Sequence, residues 1–186
     1  MKQYYLVAQL PSFVVSDDRT PLPITEADFT ELCSRFLDKT DQKILQELSL
    51  EPPREESKTG SKLVDEWYSR ERSLRIALAQ IRALNMKKKF DAAGVSLSPD
   101  AVQAARTAAG MDSPLAAEQF LNQYRVSVIE NITPLDGFAT DAVFAYGIKL
   151  KLAARMKKFN AETGMASYHT IYDRILKDGT STGETK

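Results

Sequence analysis

Few side chains in this sequence could act as nucleophiles, acid–base groups or metal ligands. His169 is the single histidine and Cys33 the single cysteine, and neither GxxxxGK[ST] nor GxGxxG occurs. His-rich and Cys-rich metal sites and recognised phosphate-binding loops are therefore not expected. His169 has no nucleophile elbow nearby and is expected at the surface or at a helix end. The sequence predicts a protein that is not an enzyme and that holds no cofactor and no metal.

Binding chemistry is concentrated instead in a basic segment near the end of the chain, residues 140–164. Between Asp141 and Glu162 it holds no acidic residue and five basic ones: Lys149, Lys151, Arg155, Lys157 and Lys158. On a helix these cations spread over several arcs, whereas nucleic-acid-binding surfaces gather their charge on one face. The segment predicts either contact with an acidic protein partner or solvated edges that stabilise the helix C-terminus. Nucleic acid is not an expected partner.

Arg70 is a further candidate for partner binding, because it interrupts the apolar stripe of a predicted long helix. Glu66 stands one turn earlier. An ion pair along the helix, with the arginine stem covering apolar neighbours, is the favoured interpretation. Contact with an anionic partner is the alternative.

Composition limits the partners and the location. Lys and Arg number 25, as do Asp and Glu, so no overall field draws the protein to nucleic acid or anionic lipid. No window approaches the roughly 18 apolar residues of a membrane span, and the apolar run at 4–8 is shorter than the roughly 7–15 residues of a signal-peptide core. A cytoplasmic protein is expected, with membrane association only indirect, through partners.

Helix start signals place the elements that would position these residues. Thr25 with Asp28, Ser98 before a proline and Ser113 before a proline are N-cap patterns. Cys33 lies on an apolar helix face and is expected to be a core thiol. Helices are predicted over residues 25–37, 41–48, 61–86, from 98 onward, 114–132 and 140–164, with Gly164 as the C-terminal cap of the last and a short terminal helix after it.

The basic segment also places apolar side chains on two sides of its helix. One stripe is Phe144, Ile148, Leu152 and Phe159, and the other is Val143, Gly147, Leu150 and Ala154. Gly147 and Ala154 are small enough to let another helix approach closely. The pattern predicts a helix packed between others.

These patterns predict an all-α fold, or one nearly so: an irregular multi-helix bundle with a long central helix and a short extended N-terminal segment. Only residues 4–7 and 13–15 could form strand, and 4–13 could equally begin as a helical turn. The loop at 51–62 is rich in proline and charge. Residues 1–178 are expected to form one helical domain, or two sub-lobes divided near 51–62, and residues 179–186 a disordered tail.

Both ends of the chain resemble known proteins. The start, "YYLVAQLPSF" followed by "PPREE", resembles an uncharacterised bacterial family encoded among V/A-type rotary ATPase subunits. The end, "AVFAYGIKLKLAARMKKFNAETGMASYHTIYDRIL", is similar to the closing helices of the C/d-type stalk protein of that ATPase, named C in the bacterial enzyme and d in the eukaryotic one. The matching positions are Ala145, Tyr146, Lys149, Arg155, Gly164 and Ile171.

This resemblance implies a non-catalytic connector between the central stalk and the membrane rotor ring, cytoplasmic and peripheral to the inner membrane through its partners. The C/d-type protein has three similar helical lobes, whereas this chain has room for one or two, which leaves a true subunit and an assembly factor as alternatives. A different class of function is a helical adaptor or regulator that binds an acidic protein through Arg70, Arg72, Arg75 and Arg82. Charge reversal of Lys149, Arg155 and Lys158 is expected to abolish docking and leave the fold intact.

Overall fold

Helices dominate the computed structural model of this chain. It describes residues 2–15, 21–55, 57–90, 97–158 and 161–181, the last segment with side chains over 164–176. Within these residues there are eight helices and one isolated backbone bridge, between Lys2 and Ala139, which confirms the predicted all-α class. The helices are α1 (Tyr4–Gln9), α2 (Glu26–Ser34), α3 (Lys39–Glu47), α4 (Lys62–Asn85), α5 (Pro99–Ala109), α6 (Pro114–Ile132), α7 (Thr140–Met156) and α8 (Ala161–Ser181).

The predicted helix starts are confirmed by side-chain capping. Thr25 accepts the Asp28 N–H at 3.1 Å, and Ser61 accepts the Val64 N–H at 3.2 Å. The Ser113 hydroxyl accepts a backbone N–H at 3.3 Å at the start of α6. These bonds satisfy N–H groups that have no partner inside the helix, which is why the helices begin there. Ser98 precedes α5 without such a bond, and α3 begins two residues earlier than predicted.

The N-terminal segment is helical where strand was one of two possibilities. Residues 4–7 belong to α1, whose Leu6 is fully buried, and residues 13–15 form no strand. The Gln3 N–H donates to the Phe138 carbonyl at 2.6 Å, which anchors the chain before α1 begins. Burial of one apolar face against the core outweighs the strand propensity of the tyrosines and valine.

The prediction for residues 140–164 was wrong at its end. α7 stops at Met156, because the Lys158 N–H donates to the Arg155 carbonyl at 3.0 Å and tightens the last turn. Gly164 lies inside α8 and is exposed, and the terminal helix has 21 residues where a short one was expected. A helix-interior glycine costs only about 1 kcal/mol relative to alanine. Phe159 lies outside the described residues.

The packing of α7 between other helices is confirmed. Both of its apolar stripes are buried over residues 143–152, and α7 contacts α2, α3, α4 and α6. A Cβ added at Gly147 would lie 3.1 Å from Phe29 Cε1 and 3.2 Å from Leu48 Cδ2. The glycine therefore permits the close approach that the sequence predicted. Ala154 is half-buried and borders a cleft instead.

Buried apolar side chains form two clusters. The larger surrounds α7 and includes Trp67 and Phe144, and the smaller joins α4, α5 and α6 around Leu74, Ala105 and Leu121. Because α4 contributes to both clusters, it is the long central helix of the prediction. The boundary near 51–62 stays a prediction.

Cys33 is fully buried in the larger cluster, as expected of a core thiol. Burial raises the pKa of its thiol to about 12. Among the described helices, none has the length and apolar character needed to cross a membrane. Residues 179–181 of the predicted tail belong to α8, and residues 182–186 lie outside the described residues.

Candidate functional site: a basic cleft between α4, α6 and α7

A cleft of about 670 Å³ opens between α4, α6 and α7, with the segment after α3 along one side. α4 contributes two arginines seven residues apart, α6 contributes one, and the end of α7 contributes three more cations. The six basic lining residues are Arg75, Arg82, Arg125, Lys151, Arg155 and Lys158.

Three of the five cations predicted at α7 share this cleft. Lys151 and Arg155 are four residues apart on one face of α7, and Lys158, two residues after the end of the helix, lines the same cleft. Lys149 and Lys157 lie on other surfaces, each near Phe13. The cations of the basic segment therefore lie on different surfaces. Those in the cleft lie together with arginines of α4 and α6.

Arg125 of α6, one of the lining residues, forms a buried ion pair with Glu71 of α4. The Arg125 Nε donates to Glu71 Oε2 at 2.9 Å and its second guanidinium nitrogen donates to Oε1 at 3.0 Å. The Glu71 side chain is 1% exposed and that of Arg125 is 6% exposed. Arg75 adds a third hydrogen bond to Glu71, at 2.9 Å. Two-pronged geometry of this kind fixes both side chains and ties α4 to α6.

Carboxylates of the same chain pair with several of the other cleft cations. Glu118 accepts hydrogen bonds from both Arg125 and Arg155 and so links α6 to α7. Lys151 donates to Glu26 of α2 at 2.9 Å. The cleft therefore already accommodates carboxylates between its cations.

Positive charge remains in excess after this pairing. Six cations and three carboxylates line the cleft, an excess of three positive charges, or of two when the neighbouring Glu71 is included. Arg82 and Lys158 are exposed, and no carboxylate of the described segments pairs with either. The uncompensated charge is thus on two solvent-exposed side chains.

Besides Ser49, six apolar residues complete the cleft wall: Leu48, Leu50, Leu78, Ala79, Leu121 and Ala154. Cations beside an apolar wall can bind a ligand that carries both acidic and apolar groups.

Arg70 lies outside this cleft, and its predicted pairing is confirmed. Its Nε donates to Glu66 at 2.8 Å, and a second nitrogen approaches Asp100 at 3.4 Å. Asp100 also accepts from the Tyr124 hydroxyl at 2.8 Å. Hydrogen bonds from Ser98 and Tyr124, with the Arg70 charge, lower the pKa of Asp100. Arg70 therefore helps to join α4 to α5.

Arg72 is engaged as well, because its guanidinium donates to the carbonyls of Pro53 and Arg54 at 3.0 and 3.3 Å. These bonds hold part of the loop at 51–62 against α4. Of the four arginines that the adaptor hypothesis named, Arg75 and Arg82 lie in the cleft and the other two lie elsewhere.

Sequence reasoning missed Arg125. It stands four residues after Leu121 and three before Val128, on the buried side of α6. A charge at an apolar position of an amphipathic helix was the available signal, because such a charge is rarely buried without a partner. Its partner Glu71 is 54 residues away and no local pattern connects the two.

A second exposed feature is the apolar face of α8. Every described side chain of this helix, over residues 164–176, is exposed. The large apolar ones are 48–62% exposed: Met165, Tyr168, Ile171, Tyr172, Ile175 and Leu176. Their spacing of three and four residues places them along one side of the helix.

Comparison with known proteins gives one finding. A family model described as a protein of unknown function (DUF2764) matches residues 100–180, which span α5 to α8 and include both the basic part of α7 and the apolar face of α8. No curated protein and no solved structure matches the chain.

Proposed function

We propose that this protein is a non-catalytic component or assembly factor of a V/A-type rotary ATPase, a connector of the C/d type between the central stalk and the membrane rotor ring. The resemblance of α7 and α8 to the closing helices of the C/d-type stalk protein supports the proposal. The matching positions lie on both helices, from Ala145 and Tyr146 in α7 to Ile171 in α8.

The observation that carries the proposal is the apolar face of α8. Six large apolar side chains along one side of α8 are about half exposed, and exposed apolar patches mark protein-interaction sites. Each 100 Å² of this surface that a partner covered would contribute about 2.5 kcal/mol. A helix of this kind is suited to lie against another protein, as a connecting protein requires.

The packing of α7 also suits a connector. α8 follows α7 after four residues, and α7 is held among α2, α3, α4 and α6. The Ser61 hydroxyl donates to Asp141 at 2.6 Å and links the N-terminal end of α4 to that of α7. α8, the proposed docking element, therefore follows a helix that is anchored in the core.

A helical adaptor or regulator that binds an acidic protein is the second candidate. The excess positive charge of the cleft favours it, since Arg75 and Arg82 of α4 meet the cations of α7 there. The two candidates differ in the identity of the partner and in the surface on which binding depends.

Substitutions in α8 test the proposal. Ile171→Asp with Ile175→Asp places two charges on the apolar face, and Ser167→Asp places one on an exposed polar position of the same helix. The tagged double variant should lose ATPase subunits from purifications of gently solubilised cells, and Ser167→Asp should retain them. Equal recovery with both variants would contradict docking through α8.

A further inference from the structure

We propose that the basic cleft binds an acidic, partly apolar segment of a protein partner. The proposal rests on the juxtaposition of Arg82 and Lys158, which have no carboxylate partner among the described residues, with a wall of leucine and alanine side chains. It deepens the second candidate function, the adaptor that binds an acidic protein, on which it rests in taking the partner to be a protein.

Charge sets the sign of the ligand. The lining carries more cations than carboxylates, and the cations come from three helices that meet only in the folded chain. Arg155 and Arg125 already hold the Glu118 carboxylate between them. Further carboxylates can therefore be bound here by the same type of contact, because guanidinium groups match carboxylates in geometry as well as in charge.

The apolar wall sets the class of ligand. Leu50, Leu78 and Leu121 lie in the same cleft as the cations, and the apolar side chains of a bound segment can pack on them. A small phosphate compound would meet the cations and leave this wall uncovered. A protein segment in which acidic and apolar residues alternate within one or two turns satisfies both halves of the cleft.

Arg82 and Lys158 are suitable for a test because no carboxylate of the described residues pairs with them. Arg155 and Lys149, in contrast, pair with Glu118 and Glu130, so reversing their charges would also place like charges next to each other. The triple reversal of Lys149, Arg155 and Lys158, which the sequence alone predicts to leave the fold intact, is therefore a less secure test than reversal of Arg82 and Lys158, which are exposed.

The matched control reverses two cations in equivalent positions outside the cleft. Arg82 lies in the last turn of α4 and Lys158 follows the end of α7; Arg106 lies in the last turn of α5 and Lys88 follows the end of α4. Neither Arg106 nor Lys88 lines the cleft. Arg82→Glu with Lys158→Glu is thus compared with Arg106→Glu and Lys88→Glu.

The experiment introduces p-benzoylphenylalanine in the full chain, in separate variants, at Ala79 and Ala154, which line the cleft, and at Gln103, which is exposed on α5. After irradiation in cells, the cross-linked peptides are sequenced by mass spectrometry. We expect cross-links from the two cleft positions to one segment with at least two acidic residues next to apolar ones. The yield should fall about tenfold or more with the cleft reversal and stay unchanged with the control reversal.

Three results would overturn the inference: no cross-link from either cleft position, a cross-linked segment without acidic residues, or a yield that the cleft reversal leaves unchanged. Stabilisation of the protein by tripolyphosphate that disappears with Arg82→Glu, without any cross-link, would identify a small anion as the occupant instead. The identity of the cross-linked protein separates the two proposals. Cross-linking to an acidic segment of a protein outside any rotary ATPase would support ligand binding in the cleft and contradict the proposed function. Recovery of ATPase subunits that the cleft reversal leaves unchanged would support the proposed function and contradict binding in the cleft.

Discussion

Replacement of Arg125 by methionine should remove the buried partner of Glu71 while keeping a side chain of similar length. Glu71 Oε2 then loses its hydrogen bond from Nε at 2.9 Å, and Oε1 loses the one at 3.0 Å. Glu71 is 1% exposed, so its carboxylate depends on protein donors and not on solvent in the intact protein. Among the described residues, Arg75, at 2.9 Å from Oε1, is the cation that still pairs with the carboxylate.

The cost follows from this loss. Breaking a buried ion pair by removing one partner destabilises a protein by about 3–5 kcal/mol. Because Arg75 remains, we expect Arg125→Met to lower the free energy of unfolding by about 3 kcal/mol, at the lower end of that range. Urea unfolding monitored by circular dichroism measures the change.

An exposed pair provides the matched control. Arg35 and Glu31 form an ion pair one turn apart on α2, with side chains 63% and 65% exposed. Arg35→Met should change the free energy of unfolding by less than about 1 kcal/mol, because exposed pairs contribute little. The double variant Glu71→Leu with Arg125→Met should recover at least about 1 kcal/mol of the loss, because no buried charge is left without a partner.

A loss of less than about 1 kcal/mol with Arg125→Met would refute the reasoning, since it would mean that the buried carboxylate tolerates the loss of its partner. A double variant no more stable than Arg125→Met would also count against it. In that case the leucine would have failed to replace the charge with favourable packing.

Three further predictions concern the core around α7. Gly147→Ala should lower the free energy of unfolding by about 1 kcal/mol, because the new methyl group would lie only 3.1 and 3.2 Å from Phe29 and Leu48. The cost of this overlap exceeds the gain in helix propensity, and equal or greater stability in urea would contradict the prediction. The Cys33 thiol, whose pKa burial raises to about 12, should react with a thiol reagent at pH 8 only as fast as the protein unfolds, and rapid labelling of folded protein would disprove its burial. Burial raises the pKa of Tyr146 from 10.0 to about 12, so the unfolded chain loses this proton first and stability should fall as pH rises from about 10 to 12; Tyr146→Phe should lessen that fall, and an unchanged pH profile would exclude this cause.

Local signals allowed much of the fold to be predicted. The helix starts after Thr25, Ser61 and Ser113 depend on a side chain and a backbone N–H three residues ahead, so the pattern is complete within one turn. The two buried stripes of α7 were equally visible, because helical periodicity determines which side chains share a face.

Local propensity left residues 4–7 open between strand and helix. They form a helix, in which Leu6 is buried. Gly164 carries the usual signal for a helix end, yet it lies within α8. Nothing local distinguishes a terminating glycine from one that an exposed helix tolerates.

The candidate site could not be predicted as a unit. Arg82 and Lys158 are far apart in the sequence, and they share a cleft only because α4 packs against α7. The cations of α7 were identified, but their division between the cleft and other surfaces depends on which neighbour covers each arc of the helix. Sequence periodicity shows which residues share one face of the helix, but it does not show which element packs against that face.

The central claim is that this protein docks onto a V/A-type rotary ATPase without performing catalysis. The most direct test is affinity purification of the tagged full chain from gently solubilised native cells, with quantitative mass spectrometry of the proteins that co-elute. We predict central-stalk and rotor-ring proteins in fixed proportion to the tagged protein. Their absence, while the ATPase itself is expressed and intact in the same cells, would contradict the claim.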